Sequence, residues 1–397
     1  MGQQNDSSGN FTATDERFLA RALALAEDAA AFASPNPTVG CVIARGDRAL
    51  SEGAHRYDAR DHAEIVALKQ AARSGADVQG ATAYVTLEPC SHHGRTGPCA
   101  DALIAAGIAR CVVATVDPNP QVSGSGIAKM RAAGIVVDVL PMTASYAQQA
   151  RMLNDAFAFS IQHGRPFVTL KAALSVDGML APAPATRTSS QVHWLTGTEA
   201  RAEVQGMRHR SDAVLTGIGT VLADDPLLTD RSGLPRRRPL LRVVLDAHLR
   251  TPLTAKLLST IGDSDVVIFC AENTSASAEN ALRDRGADIV RVPQRNGRLS
   301  LHAVFAELAA RSVRSVLAEG GSALNAALLE GDYADAVALF FSATEIGAGG
   351  VPFAADGRSP FTLLQSLTRT AQQDFGTNGA PDSLIRGYLH DSWSGIA

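Results

Sequence analysis

The run "LEPCSHHGRTGPCADAL", residues 87–103, brings two cysteines, two histidines and a glycine-rich turn together. Thiolates and imidazoles at this density suit zinc, which takes four ligands in a tetrahedron and, in catalytic sites, leaves one position to water. Upstream, "DHAEIVAL" supplies His62 and Glu64 at the head of a segment whose Ile65, Val66 and Leu68 predict a helix. His62, Cys90 and Cys99 then make three ligands with one position open. Pro98 suits the first turn of a helix, which sets Cys99 near the positive end of a helix dipole and favours its thiolate.

Glu64, close to the metal but not bound to it, is placed to carry a proton from an activated water to a leaving amine. His-x-Glu followed by Pro-Cys-x-x-Cys is the signature of zinc deaminases, with the glutamate as general acid and base. Here eight residues, not two, intervene between Cys90 and Cys99. Other readings stay open. Asp61 and Glu64 also form a capping-box pattern with His62 an ordinary first-turn residue. Cys99 can be a buried helix cysteine, and His92 or His93 can complete a four-ligand structural site. Cys41 and Cys111 lie in strand-like runs and read as core.

Outward from this site the chain alternates. A helix is expected from Asp15 to Ala31, strands at "NPTVGCVIA", "RGDRALSEG", "ATAYVTLEP", "RCVVATV" and "IVVDVL", and helices from about Asp61, from about Pro98 and near "GIAKMRAAG". That is a three-layer α/β/α domain, taken as residues 15–147, after a disordered tail at 1–14. A polar, helical connector spans 142–164, and "RPFVTLKAALSVDG" opens a second α/β domain, 148–397, with strands in "SDAVLTG", "LRVVLD", "DVVIFC", "DIVRVP", "RSVLAEG" and "ADAVALFFSAT". At 397 residues, two domains match the usual size.

The 36 basic and 40 acidic residues leave a net charge of -4, and aromatics are 5% of the chain. A nucleic-acid-editing enzyme calls for a basic groove and stacking aromatics, so polynucleotide is not the expected partner. The local basic run "LPRRRPL" reads as a solvated loop. Five cysteines at unequal spacing fit a reducing, cytoplasmic setting rather than a disulfide framework. Neither a signal peptide nor an apolar run of membrane-spanning length is expected.

In the second half, Gly217 and Gly219 follow one strand and Gly320 and Gly321 another. Glycines there let a backbone approach a ligand, and helix N-terminal amides can hold a phosphate. Leu222 stands where a full dinucleotide fingerprint has its third glycine, so tight strand-to-helix turns are the favoured account of both.

The runs "SPNPTVGCVI", "HAE", "EPCSHHGRTGPC" and "DPNPQVSGSGI" resemble, in order and spacing, the deaminase half of the bifunctional riboflavin biosynthesis deaminase and reductase. "LKAALSVDG", "WLTGTEARAEVQGMRHRSDAVLTGIGTVLADDPLLTDR" and "LAEGGSALNAALL" resemble its reductase half, whose fold is similar to dihydrofolate reductase. The resemblance covers nearly all of the chain from residue 15. It implies a cytidine-deaminase-like domain acting with Zn2+ on a diaminopyrimidinone ribosylamino phosphate, then an NADPH-dependent reduction of the ribosyl group to ribityl. Its long cysteine loop is the norm in that family. It implies His62, Cys90 and Cys99 as ligands, Glu64 as proton shuttle and Asn36 as a substrate-orienting residue. It also implies Trp194, Thr220, Asp224 and the stretch Gly321, Ser322, Ala323, Leu324, Asn325, Ala326 and Ala327 at the cofactor. Arg208, Leu228, Arg231 and Glu319 are implied at the substrate, where guanidinium forks match a phosphate.

The chain departs from the family in three places. Gly97 and Pro98 replace a proline pair before Cys99, Val192 stands where a substrate-binding serine is expected, with Ser189 or Ser190 nearby, and extra residues precede Trp194. An active deaminase with a degenerate reductase half is therefore the alternative, and a zinc-stabilised binding module is the reading without catalysis. Asp224 and Asp225, before Pro226, are either turn formers or proton carriers. The resemblance implies a homo-oligomer associated through the reductase domain.

Overall fold

The computed structural model describes residues 11–92, 97–120, 122–183, 194–376 and 381–395. The chain divides into two units, one running through His163 and resuming at Ser392, the other Gly164–Asp391.

The first unit opens with α1 (Ala13–Ala33), followed by β1 (Gly40–Arg45), β2 (Arg48–Ala54), α2 (Ala63–Ser74), β3 (Thr82–Val85), α3 (Cys99–Ala105), β4 (Arg110–Val113), α4 (Ser125–Ala132) and β5 (Val136–Val139). The strands form one sheet in the order β2-β1-β3-β4-β5. β1 is antiparallel to both neighbours, and β3, β4 and β5 run parallel. Successive side chains leave a strand on opposite faces, and that alternation builds three layers. Cys41, Ile43, Ala83, Val85, Cys111 and Val113 pack with Ala67, Leu103 and Met130 from α2, α3 and α4. Val42, Ala44, Tyr84 and Val112 pack with Phe18 and Ala22 of α1. Cys41 and Cys111 are core, as expected.

Three expectations are corrected. Thr12 caps α1 in a reciprocal capping box with Asp15, so residues 12–14 belong to the helix start and not to a tail; residues 1–10 lie outside the described residues. The connector contains α5 (Ser145–Leu153) and α6 (Asp155–His163). The buried Ala150 of α5 clusters with Leu19 and Leu23 of α1, so both helices complete the first unit and the break comes after His163 instead of residue 147. Residues 392–395 also belong to the first unit. Trp393 is buried in its core, its indole N–H donates to Asp155 Oδ1 at 2.9 Å, Arg151 stacks over the ring at 5.0 Å and Gln162 donates to the Ser392 carbonyl at 2.8 Å.

The second unit comprises β6 (Phe167–Leu174), β7 (Met179–Ala181), α7 (Thr198–Arg210), β8 (Ala213–Gly217), α8 (Ile218–Asp224), β9 (Leu241–Leu245), α9 (Lys256–Ser259), β10 (Val266–Ala271), α10 (Ala276–Asp284) and β11 (Asp288–Val292). It continues with β12 (Gln294–Arg295), β13 (Arg298–Leu299), α11 (Leu301–Ala310), β14 (Ser315–Ala318), α12 (Ser322–Glu330), β15 (Ala336–Phe341), β16 (Val351–Pro352), α13 (Pro360–Gln365), β17 (Thr368–Phe375) and β18 (Asp382–Tyr388). Its main sheet has the order β11-β10-β9-β8-β14-β6-β15-β18-β17, parallel from β11 to β15 and antiparallel for the last two strands. A strand covered on both faces reads as a continuous apolar run, as in "VVIFCA" of β10, buried throughout. β8 and β14 are neighbours, and each delivers its chain into a helix at the carboxyl end of the sheet, where open α/β sheets bind ligands.

Candidate functional site

α2 begins at Ala63, with His62 as its N-cap and no side-chain cap bond. The capping box between Asp61 and Glu64 is therefore not formed; Asp61 instead accepts from Lys69 Nζ at 2.6 Å. The His62 ring turns to the cysteines, its Nδ1 lying 3.2 Å from Cys99 Sγ and 3.4 Å from Cys90 Sγ. The ligand atoms of His62, Cys90 and Cys99 all lie within 4.8 Å of one another, and among the described residues no other group of histidine, cysteine and carboxylate side chains converges in this way. Two thiols and an imidazole at this spacing fit zinc. His92 is exposed and outside the cluster; His93 lies outside the described residues.

The two cysteine thiols act on each other at the start of α3. Pro98 is the N-cap of α3 and Cys99 its first residue, and the Cys99 amide donates to Cys90 Sγ at 3.4 Å. The Cys99 thiol also serves Cys90, holding its pKa down at about 4 with help from His62 and against burial. Cys99 is pushed up by Cys90, by burial and by Glu64. Each thiol is thus set by the other at the start of α3, and both would be thiolates on a bound zinc. His62 is raised, chiefly by its contact with Cys90.

Glu64, in the first turn of α2, is 3% exposed, and burial raises its pKa to about 7. A carboxyl poised there both accepts and releases protons near neutrality. Asn36 Nδ2 donates to His55 Nε2 at 3.1 Å, while His55 Nδ1–H donates to the Asp61 carbonyl at 2.8 Å. That pairing fits a neutral His55, whose pKa burial lowers; its ring meets His62 edge-on at 5.4 Å. Sequence reasoning missed His55, although a histidine seven positions before His62 in "AHRYDARDHAE" was the available signal. It also missed Asp117 of "DPNP", raised to about 6 by burial with Glu88 and Cys90 adding to it.

In the second unit, Thr220 lies in α8 and Gly321 caps α12, and the two turns meet: a Cβ on Gly321 would stand 3.7 Å from Thr220 Oγ1. Ser322 Oγ is buried without a partner among the described residues. The stretch from Gly321 to Ala327 divides by helical phase. Gly321, Ser322 and Ala323 stand at the helix mouth. Leu324 and Ala326 join the main core, Asn325 is buried and donates to the Phe353 carbonyl at 2.9 Å, and Ala327 is half-buried. A helix shows one face to a ligand, so contiguous contacts through side chains do not follow from contiguous sequence.

Trp194 is exposed, with the Arg201 guanidinium 5.0 Å from its ring centroid. Asp224 ends α8; Asp225 is left-handed and its carboxylate accepts the Lys256 amide at 2.8 Å, the turn-forming role. Leu228, also left-handed, is buried with Val214 and Leu240, which leaves its backbone rather than its side chain to a ligand. Val192, Ser189 and Ser190 lie outside the described residues.

Arg208 and Glu319 meet each other in a bidentate pair, Nε to Oε1 at 2.6 Å and Nη2 to Oε2 at 3.0 Å, and Arg208 also donates to the Thr229 carbonyl at 3.0 Å. Lys171 Nζ stands 3.8 Å from the same carboxylate. Burial pushes Glu319 up, but Arg208 and Lys171 outweigh it and keep the carboxyl below its ordinary range. Burial lowers Lys171. Arg231 is exposed, and its guanidinium has no hydrogen-bond partner among the described residues; its amide donates to Gln205 Oε1 at 2.9 Å. Lys171 was not singled out in the sequence, though a lysine inside an otherwise apolar strand was the signal.

Residues 12–115 match the cytidine and deoxycytidylate deaminase zinc-binding region, and residues 166–374 match the RibD C-terminal domain. The chain is 38% identical over 336 residues to the riboflavin biosynthesis protein RibD of Actinobacillus pleuropneumoniae, covering 85% of each chain. The solved structure of Acinetobacter baumannii RibD superposes with TM-score 0.76 at 34% identity, covering 94% of this chain and 98% of that one. A diaminohydroxyphosphoribosylaminopyrimidine deaminase / 5-amino-6-(5-phosphoribosylamino)uracil reductase from Thermotoga maritima gives TM-score 0.76 at 31% identity, covering 94% and 99%. A cytidine-deaminase-like unit followed by a RibD-type reductase unit, matched across most of the chain at this identity, establishes that the chain belongs to the RibD family of bifunctional riboflavin biosynthesis proteins.

Proposed function

We propose that this chain deaminates 2,5-diamino-6-(5-phosphoribosylamino)pyrimidin-4(3H)-one and then reduces the ribosyl group of the resulting 5-amino-6-(5-phosphoribosylamino)uracil to ribityl with NADPH. The observation that carries the reading is the convergence of His62, Cys90 and Cys99 beside the buried Glu64, in a chain whose remainder matches the reductase domain.

His62, Cys90 and Cys99 would hold zinc, which when bound supplies the Lewis acidity that makes water nucleophilic near neutral pH. Glu64 takes the proton from the attacking water. As the carbon–nitrogen bond breaks, it returns a proton to the amine, which leaves as ammonia. Asn36, held by His55, orients the pyrimidine. In the second unit NADPH would supply the hydride to the ribosyl carbon; Thr220 and the mouth of α12 at Gly321 and Ser322 would hold the cofactor, with Trp194 and Asp224 assigned to it by the sequence pattern. Lys171, Arg208 and Glu319 form a buried charge cluster at the substrate, and Arg231, unencumbered, is left to pair with the phosphate. The degenerate-reductase alternative is not favoured, since the reductase match extends over 166–374.

No described helix is long and apolar enough to cross a membrane. We place the activity in the cytoplasm, on small molecules rather than nucleic acid, in a homo-oligomer joined through the reductase domain. The test is one coupled assay on zinc-loaded protein, reading ammonia release and NADPH oxidation separately. Ammonia without cofactor, then NADPH consumption after its addition, supports both steps. No ammonia would refute the deaminase assignment; ammonia without NADPH consumption would restore the degenerate-reductase reading.

A further inference from the structure

We propose that Glu88 is a positioning residue of the deaminase site: its carboxylate locks the 122–127 turn and Asp117 against the Cys90 segment, fixing a wall on which the pyrimidine substrate docks. The inference rests on the deaminase reading above.

Glu88 leaves β3 two residues ahead of Cys90 and is 3% exposed. Its Oε2 accepts the amides of Asp117 at 3.2 Å and Gly124 at 2.8 Å, and its Oε1 accepts those of Gly126 at 2.9 Å and Ile127 at 3.3 Å. Gly124 is the N-cap of α4, without a side chain to cap it. First-turn amides have no intrahelical acceptor, so a carboxylate from another segment does the work of a local cap. Four N–H donors also offset the cost of burying a charge.

Two further contacts tie the same pair of segments. A Cβ on Gly126 would overlap the Pro89 carbonyl oxygen, an approach only glycine permits, and Ser91 Oγ lies 2.6 Å from Ser125 Oγ. Glu88, Pro89 and Ser91 therefore grip the turn on both sides of the proposed ligand Cys90. Asp117 is buried and its amide is held by Glu88, two residues before Cys90, which brings the gripped segment beside the proposed ligand. None of these groups touches the proton carried by Glu64 in the reading above. Loosening them removes binding common to ground and transition states, which raises KM and spares kcat.

The experiment measures kcat and KM for ammonia release, zinc content and NADPH oxidation for wild type, Glu88→Gln and Gly126→Ala. Glutamine keeps the shape of the side chain but turns an N–H group toward two of the four amides. The alanine methyl pushes the turn off Pro89 without touching Glu88, and it carries the test alone if Glu88→Gln does not fold. Expected for both is a KM for ammonia release raised about 10-fold with kcat within about 2-fold, full zinc and unchanged NADPH oxidation when the deaminated 5-amino-6-(5-phosphoribosylamino)uracil is supplied directly. An unchanged KM, a fall in kcat alone, or zinc loss would overturn the inference. Wild-type ammonia release separates the two claims: its absence refutes the deaminase reading itself, whereas its presence with unaltered variants refutes only the role of Glu88.

Discussion

At the scale of single residues, ligand and base are separable. Glu64→Gln is expected to keep zinc and lose about 10²–10⁴-fold in deamination, the usual weight of a positioned proton carrier. Cys99→Ser is expected to lose both metal and ammonia release. Metal analysis with an ammonia assay distinguishes them, and zinc loss from the glutamine variant would show that Glu64 is a ligand. Arg208→Ala strips buried Glu319 of its bidentate partner; breaking such a pair costs about 3–5 kcal/mol. The melt of the reductase unit should fall while ammonia release persists, and an unchanged melt with a raised substrate KM would assign Arg208 to binding alone. His62, Cys90, Cys99 and Glu64 were legible because metal chemistry restricts residue type and spacing. The partnership of Arg208 with Glu319 was not, because nothing local in sequence signals a pair drawn from α7 and the end of β14.

The elements follow their sequence where one covered face dictates a period. Each strand expected in the first unit forms, and Cys41 and Ile43 alternate with Val42 and Ala44 between two cores. Termini were harder to read: the same Asp61 and Glu64 that make a capping box on paper are drawn apart by Lys69 and by burial. Where a capping box does form, at Thr12 and Asp15, Thr12→Ala should cost about 1 kcal/mol of deaminase stability, read from chemical denaturation. No loss would mean that Arg110 and Tyr84, which also hold Asp15, suffice to anchor α1. At the end of β18, the hydrogen bond from His390 to buried Asp335 raises the histidine's pKa. Its stabilisation is present in full below the ordinary value near 6.5 and fades as pH rises through the higher folded value. His390→Gln should therefore narrow the difference between melts at acidic and alkaline pH, and a parallel pH profile would refute the linkage.

For the whole molecule, two domains were legible from the change of rhythm after Pro141, but their membership was not. α5 and α6 lie in a polar connector by composition, and Trp393 stands far along the chain from the core it enters. Trp393→Ala should destabilise the deaminase unit by about 3–5 kcal/mol, with the reductase melt unmoved; an intact deaminase melt would mean that the indole is dispensable.

That buried indole also sets an order of birth. The stretch 392–395 leaves the ribosome only after all of 164–391 has been made, so the half that is translated first is finished last. A message broken within the reductase then yields a deaminase lacking its Trp393 closure, weakened in the half it still encodes.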